Sequence, residues 1–132
     1  MKFLVTGAAG FIGKRVVLQL LKKNIPVIAT TTKVEDEKDT FFKYIDSKNI
    51  SHQNLELTYL DMSSKESIDS IFTNNDITHI ISCGYQMSNM IDDNPIKGVE
   101  VNILGITNLF EAVVKYKIKR MEKYLSMSED LY

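Results

Sequence analysis

Three glycines at fixed spacing are the strongest chemical signal in the chain. They lie in Thr6-Gly7-Ala8-Ala9-Gly10-Phe11-Ile12-Gly13, after the apolar run Phe3-Leu4-Val5 and before a helical apolar stripe. A glycine triplet alone is weak evidence, but at a first strand-to-helix turn it stands where a pyrophosphate binds. Gly7 permits a tight turn, Gly10 lets the backbone approach a phosphate, and Gly13 allows the helix to pack against the sheet. The helix start adds unpaired N–H groups and a partial positive charge for an anion. Phe11 and Ile12, inside the motif, join the glycines as candidate cofactor-binding residues. The alternative is a structural glycine turn that holds no ligand.

Other chemistry is sparse. His52 and His79 have no partners at metal-ligand spacing, so no metal site is expected. Cys83 is the lone cysteine, which excludes an intrachain disulfide and points to a reducing, cytoplasmic setting. It reads as a small buried residue rather than a nucleophile. Lys plus Arg number 16 and Asp plus Glu 17, a net charge of −1 that excludes a polyanion binder held by bulk charge. Nucleic acid is therefore not an expected partner. No apolar run approaches the roughly 18 residues needed to span a bilayer, so no membrane association is expected.

The elements that must position the glycine loop follow from periodicity. Ile12, Val16 and Leu20, flanked by Val17 and Leu21, predict a helix over 11–23 that Asn24 and Pro26 stop. Val27-Ile28-Ala29 is a second buried strand, and the polar stretch from Thr30 to Asp39 reads as a solvated loop. Phe41, Tyr44 and Ile45 predict a short helix within 39–48, and alternating Leu55, Leu57 and Tyr59 a strand over 54–60. Ser63 and Glu66 have capping-box spacing ahead of a helix carrying Ile68, Ile71 and Phe72. Residues 77–81 read as a fourth strand, 95–117 as a long helix, and 123–127 as a fifth strand. This alternation predicts an α/β fold of Rossmann type: a doubly wound parallel sheet of five strands, order 3-2-1-4-5, with helices on both faces.

The glycine motif, in this order of elements, resembles that of the extended short-chain dehydrogenase/reductase family, which includes nucleotide-sugar epimerases and dehydratases. Further segments resemble the family in the same order. They are Asp61-Met62 after the third strand, Ile80-Ile81-Ser82-Cys83-Gly84 on the fourth, and Asn102-x-x-Gly105-x-x-Asn108-Leu109-Phe110-Glu111-Ala112 on the long helix. Ser126 to Tyr132 resembles the serine-bearing end of the fifth strand. The resemblance implies a dinucleotide cofactor bordered by Gly7, Gly10, Phe11, Ile12, Gly13, Thr31, Lys33, Asp61, Met62, Ser82, Cys83, Gly84 and Asn102. It also implies a nucleotide sugar or other small hydroxyl or carbonyl substrate for the full-length parent. Gly105 inside a helix, costing on the order of 1 kcal/mol against Ala, suggests close packing on the sheet.

The departures carry information. The family often has His where Ser82 stands and small residues at Gly84 and Tyr85, so Tyr85 is bulky there. NAD users usually carry an acid at the end of the second strand, whereas this chain has Thr31, followed by Thr32 and Lys33. Thr31 removes a charge that would repel a 2′-phosphate and Lys33 adds an attractive one. NADP is therefore slightly favoured over NAD, against opposition from nearby Glu35, Asp36 and Glu37.

By the same resemblance, catalysis needs a Ser or Thr with a Tyr-x-x-x-Lys pair. Ser128 matches the serine. The one such pair in the chain, Tyr44 and Lys48, precedes the third strand and reads as coincidence. The expectation is a cofactor-binding domain over 1–132, truncated before the Tyr-x-x-x-Lys segment and the substrate domain, and inactive alone. A stand-alone NAD(P)-binding or sensing module without catalysis is the alternative. Family members often dimerise through the long helix and the next, which implies a possible homodimer.

Overall fold

The structure is a computed structural model and describes residues 1–85 and 92–123. Strands β1 (Phe3–Thr6), β2 (Val27–Thr31), β3 (Leu55–Tyr59), β4 (His79–Ser82) and β5 (Arg120–Lys123) alternate with helices. The helices are α1 (Phe11–Lys22), α2 (Val34–Ser47), α3 (Lys65–Asn74), α4 (Pro95–Val99) and α5 (Ile106–Lys115), with a π-helical turn over Glu100–Gly105 joining the last two. The strands form one sheet of order β3-β2-β1-β4-β5, and every pairing is parallel, as expected.

Successive strand residues face opposite sides of the sheet, and this divides the core in two. Leu4, Ile28 and Ile80 pack with Ile68, Ile71 and Phe72 of α3 and Leu109 and Ala112 of α5. Val5, Val27 and Ala29 pack with Val17 and Leu21 of α1 and Phe41 and Ile45 of α2. All of β2 is buried, as a central strand covered on both faces requires.

Local boundaries differ from expectation for identifiable reasons. The charged run after β2 is helix rather than loop: α2 begins at Val34, and Glu35, Asp36 and Glu37 occupy its first turn. Carboxylates there complement the partial positive charge of a helix start, and Lys38 pairs with Glu35 at 2.9 Å. The cap of α3 is Ser64, whose hydroxyl accepts from the Ser67 N–H. Ser63 is drawn away instead, donating its hydroxyl to Asp61 at 2.7 Å. Strand β4 starts at His79 rather than at residue 77, and β5 is described over Arg120–Lys123, while residues 124–127 of the expected strand lie outside the described residues. Gly105 packs not on the sheet but on the loop after β3, because a Cβ there would lie 2.9 Å from that of Met62.

Candidate functional site

The order of strands reverses at β1, since β2 lies on one side of it and β4 on the other. Crossovers therefore leave in opposite directions, and a crevice opens beyond the carboxyl ends of β1 and β4. The glycine loop fills one wall of it. Gly7 has φ +62°, and a Cβ there would lie 2.6 Å from the Gly84 nitrogen. Only glycine lets the loop and the tail of β4 approach so closely. A Cβ on Gly13 would lie 2.1 Å from the Gly7 carbonyl oxygen. The third glycine thus packs the first turn of α1 against the loop itself, whereas its place in the motif predicts packing on the sheet. Gly10 is different in kind, because a Cβ there meets only the Gly7 oxygen, at 3.3 Å.

Backbone hydrogen bonds hold this loop to its neighbours. The Ala8 N–H donates to the Thr30 carbonyl at 3.0 Å, and the Cys83 N–H to the Thr6 carbonyl at 3.0 Å. The hydroxyls of Thr6 and Ser82, both 1% exposed, pair at 3.1 Å, and the Gly84 N–H donates to Thr6 Oγ1 at 3.3 Å. Ser82 therefore braces β4 against β1, with its hydroxyl engaged inside the sheet. Beyond Gly10 no side chain caps α1. A helix start leaves its first N–H groups without intrahelical partners, so Phe11 and Ile12 present theirs at the mouth of the crevice.

A pyrophosphate suits this arrangement. The backbone cradle is glycine-lined, the helix end is uncapped, and Gly10 leaves room for an oxygen to come close. These are the residues that could hold the phosphates of a dinucleotide.

The remaining sequence candidates border the same end of the sheet. The Asp61 carboxylate accepts from the Ser63 N–H at 3.0 Å and the Ser63 hydroxyl at 2.7 Å. The Ser63 hydroxyl holds its carboxyl below the ordinary carboxylate value, with lesser help from the Ser63 N–H and the Lys97 charge, while burial opposes them. Asp61 is thus an ionised acceptor in a fixed pose. Met62, 7% exposed, wedges its side chain against Gly84 and Gly105. Thr31, 9% exposed, accepts from the Lys33 N–H at 3.2 Å and donates to Glu37 Oε1 at 3.0 Å. Lys33 is exposed at the start of α2, and Asn102 is half-buried in the π-helical turn. Burial pushes the Cys83 thiol up to about 11, so it is protonated near neutrality. Ser128 lies outside the described residues. Tyr44 and Lys48 lie on and just beyond α2, the Lys48 ammonium 5.7 Å from the Tyr44 ring centre. Among the described residues no cluster of three or more His, Cys, Asp or Glu is placed to hold a metal ion.

Two residues escaped the sequence reading as site residues. Asn108, 4% exposed, donates its amide to the Met62 carbonyl at 2.9 Å and so ties α5 to the loop after β3. Its signal was a polar side chain on the apolar face formed by Ile106, Leu109 and Ala112. Glu37 was visible only as charge in an expected loop. The helical start of α2 carries it back to the end of β2.

The fold and the glycine cradle define a dinucleotide-binding α/β domain of the extended short-chain dehydrogenase/reductase type. Residues 4–132 match the family described as GDP-mannose 4,6 dehydratase, and the chain belongs to it. A UDP-glucose 4-epimerase of Pisum sativum is 32% identical over 123 residues, which cover 91% of this chain and 35% of that protein. The UDP-glucose 4-epimerase of Thermus thermophilus, solved in complex with NAD, superposes with a TM-score of 0.69 at 27% identity, covering 92% of this chain and 36% of that one. A monomeric L-threonine 3-dehydrogenase of metagenomic origin superposes at TM-score 0.69 and 26% identity, over 89% of this chain and 34% of its own. This chain thus spans about 35% of the length of the curated relatives it matches. No helix among the described residues is long and apolar enough to cross a membrane.

Proposed function

We propose that this chain is the dinucleotide-binding part of an NAD(P)-dependent enzyme of the nucleotide-sugar epimerase, dehydratase or related reductase type. The observation that carries the reading is the uncapped start of α1, opened by Gly7, Gly10 and Gly13 at the point where strand order reverses. In this reading the N–H groups of Phe11 and Ile12 hold the pyrophosphate, and Asp61 with Met62 borders the adenine. Gly84, beside Gly7, lines the path toward the nicotinamide. When bound, a nicotinamide supplies hydride acceptance and return; the chain's own residues bind and orient it.

Turnover also needs a positioned acid or base on the substrate oxygen, typically worth 10²–10⁴-fold. We assign that role to a Tyr-x-x-x-Lys pair in the length of the relatives that this chain does not span, together with the substrate domain and with Ser128 as their hydroxyl partner. The 132 residues by themselves then bind cofactor without turnover. A cytoplasmic location fits the single free thiol of Cys83. Homodimerisation fits the exposed apolar side chains Ile96, Val99, Ile103, Phe110 and Val114 along α4, the π-helical turn and α5.

Calorimetric titration with NAD and NADP tests the reading. Saturable binding of at least one, abolished in Gly10→Val, is expected; binding that survives Gly10→Val would refute it. A nicotinamide absorbance assay over nucleotide sugars and simple carbonyls should show no substrate-dependent change with this chain. Substrate-dependent turnover that is lost in Gly10→Val would overturn the assignment of the acid or base to that Tyr-x-x-x-Lys pair.

A further inference from the structure

At the end of β2, where a carboxylate would mark an NAD site, the strand offers Thr31. The structure nevertheless places a carboxylate there from another element. The Thr31 hydroxyl donates to Glu37 Oε1 at 3.0 Å, and Glu37 stands in the first turn of α2. Thr31 in turn accepts from the Lys33 N–H at 3.2 Å, which fixes the hydroxyl's remaining geometry. With Oε1 taken by Thr31, Oε2 is the oxygen available to a second donor.

That carboxylate borders a cavity of about 180 Å³ lined by Ala9, Lys14, Asp36, Glu37, Thr40 and Tyr44, among others. Ala9 belongs to the glycine loop, so the cavity adjoins the pyrophosphate cradle. Its charged lining is two carboxylates against one ammonium. Lys14 is already directed over the Tyr44 ring, 5.1 Å from its centre. Lys33 is exposed and does not line the cavity.

We propose that Glu37, held at the end of β2 by the Thr31 hydroxyl, accepts the ribose hydroxyls of the adenosine half and makes the site select NAD over NADP. The proposal rests on the dinucleotide reading above and departs from the sequence-based leaning toward NADP. A 2′-hydroxyl donates to a carboxylate, and such charge-assisted bonds are among the stronger ones. A 2′-phosphate brings like charge against Glu37 and Asp36 and, mostly deprotonated at neutral pH, replaces the donating hydroxyl with acceptor oxygens. Thr31 is a positioning residue in this scheme, acting through Glu37.

The experiment is calorimetric titration of the chain with NAD and NADP, for wild type and for Glu37→Gln, Thr31→Val and Thr31→Ser. Wild type is expected to prefer NAD by about tenfold or more, the scale of one hydrogen bond to a charged group. Glu37→Gln should remove most of that ratio, chiefly by weakening NAD and partly by strengthening NADP. Thr31→Val should reproduce the NAD loss, and Thr31→Ser should restore it, which a packing role for Thr31 would not do. Thermal unfolding of each variant separates these effects from misfolding. Equal affinities in wild type, a preference for NADP, or an unchanged ratio in Glu37→Gln overturns the proposal and leaves the dinucleotide reading standing. Absence of binding by either cofactor overturns both.

Discussion

Alanine at each of the three motif glycines should separate their roles by stability alone. In Gly13→Ala the new Cβ would stand 2.1 Å from the Gly7 oxygen and 2.8 Å from the Ala8 Cα, both backbone atoms. Even a contact of about 3.2 Å, tighter than the van der Waals optimum, demands roughly 1 Å of backbone movement. Forced overpacking typically costs about 1–3 kcal/mol, and a backbone obstacle puts this site at the upper end. Better helix propensity returns up to about 1 kcal/mol, leaving a net loss near 2 kcal/mol. For a chain of this size that lowers Tm by roughly 6–10 °C. Gly7→Ala should be at least as damaging, because its φ of +62° adds about 1–2 kcal/mol of strain to the 2.6 Å approach to Gly84. Gly10→Ala meets only the Gly7 oxygen at 3.3 Å in an extended φ, ψ of −73°, 176°. It should stay within about 1 kcal/mol of wild type. Thermal unfolding followed by circular dichroism, without cofactor, reads all three. A Gly13→Ala melt within 2 °C of wild type, or Gly10→Ala as the least stable, would refute the assignment of Gly7 and Gly13 to packing and Gly10 to access.

Asn108→Ala removes the donor to the buried Met62 carbonyl and should cost about 1–3 kcal/mol; a denaturant midpoint equal to wild type would contradict the tie. The Cys83 thiol, raised by burial from 9.0 to about 11, gives stability that is complete below pH 9 and lost as pH climbs toward 11. Tm should therefore fall over that window and fall less in Cys83→Ala, and iodoacetamide at pH 8 should alkylate the folded chain at least tenfold more slowly than the unfolded one. Association through the exposed stripe should weaken on Phe110→Lys with Val114→Lys, both exposed; a molar mass from light scattering that the pair of substitutions leaves unchanged would exclude that face.

Local pattern alone determined much of this protein. The alternation of short apolar runs with helical stripes dictates a parallel sheet, because parallel strands need crossovers and crossovers share one hand. The glycine spacing after the first run likewise marks the loop, since few side chains tolerate so close an approach of backbone to backbone or to phosphate. Tertiary structure decided what depends on partners distant in sequence. Gly13 serves the loop rather than the sheet because Gly7 folds back over it. The Ser82 hydroxyl belongs to Thr6, 76 positions away, and so braces the sheet. The acidic run after β2 gave no sign of an acceptor while it read as a solvated loop. Only when it starts α2 does the turn of that helix swing Glu37 back onto Thr31, because a carboxylate's chemistry depends on where the backbone delivers it.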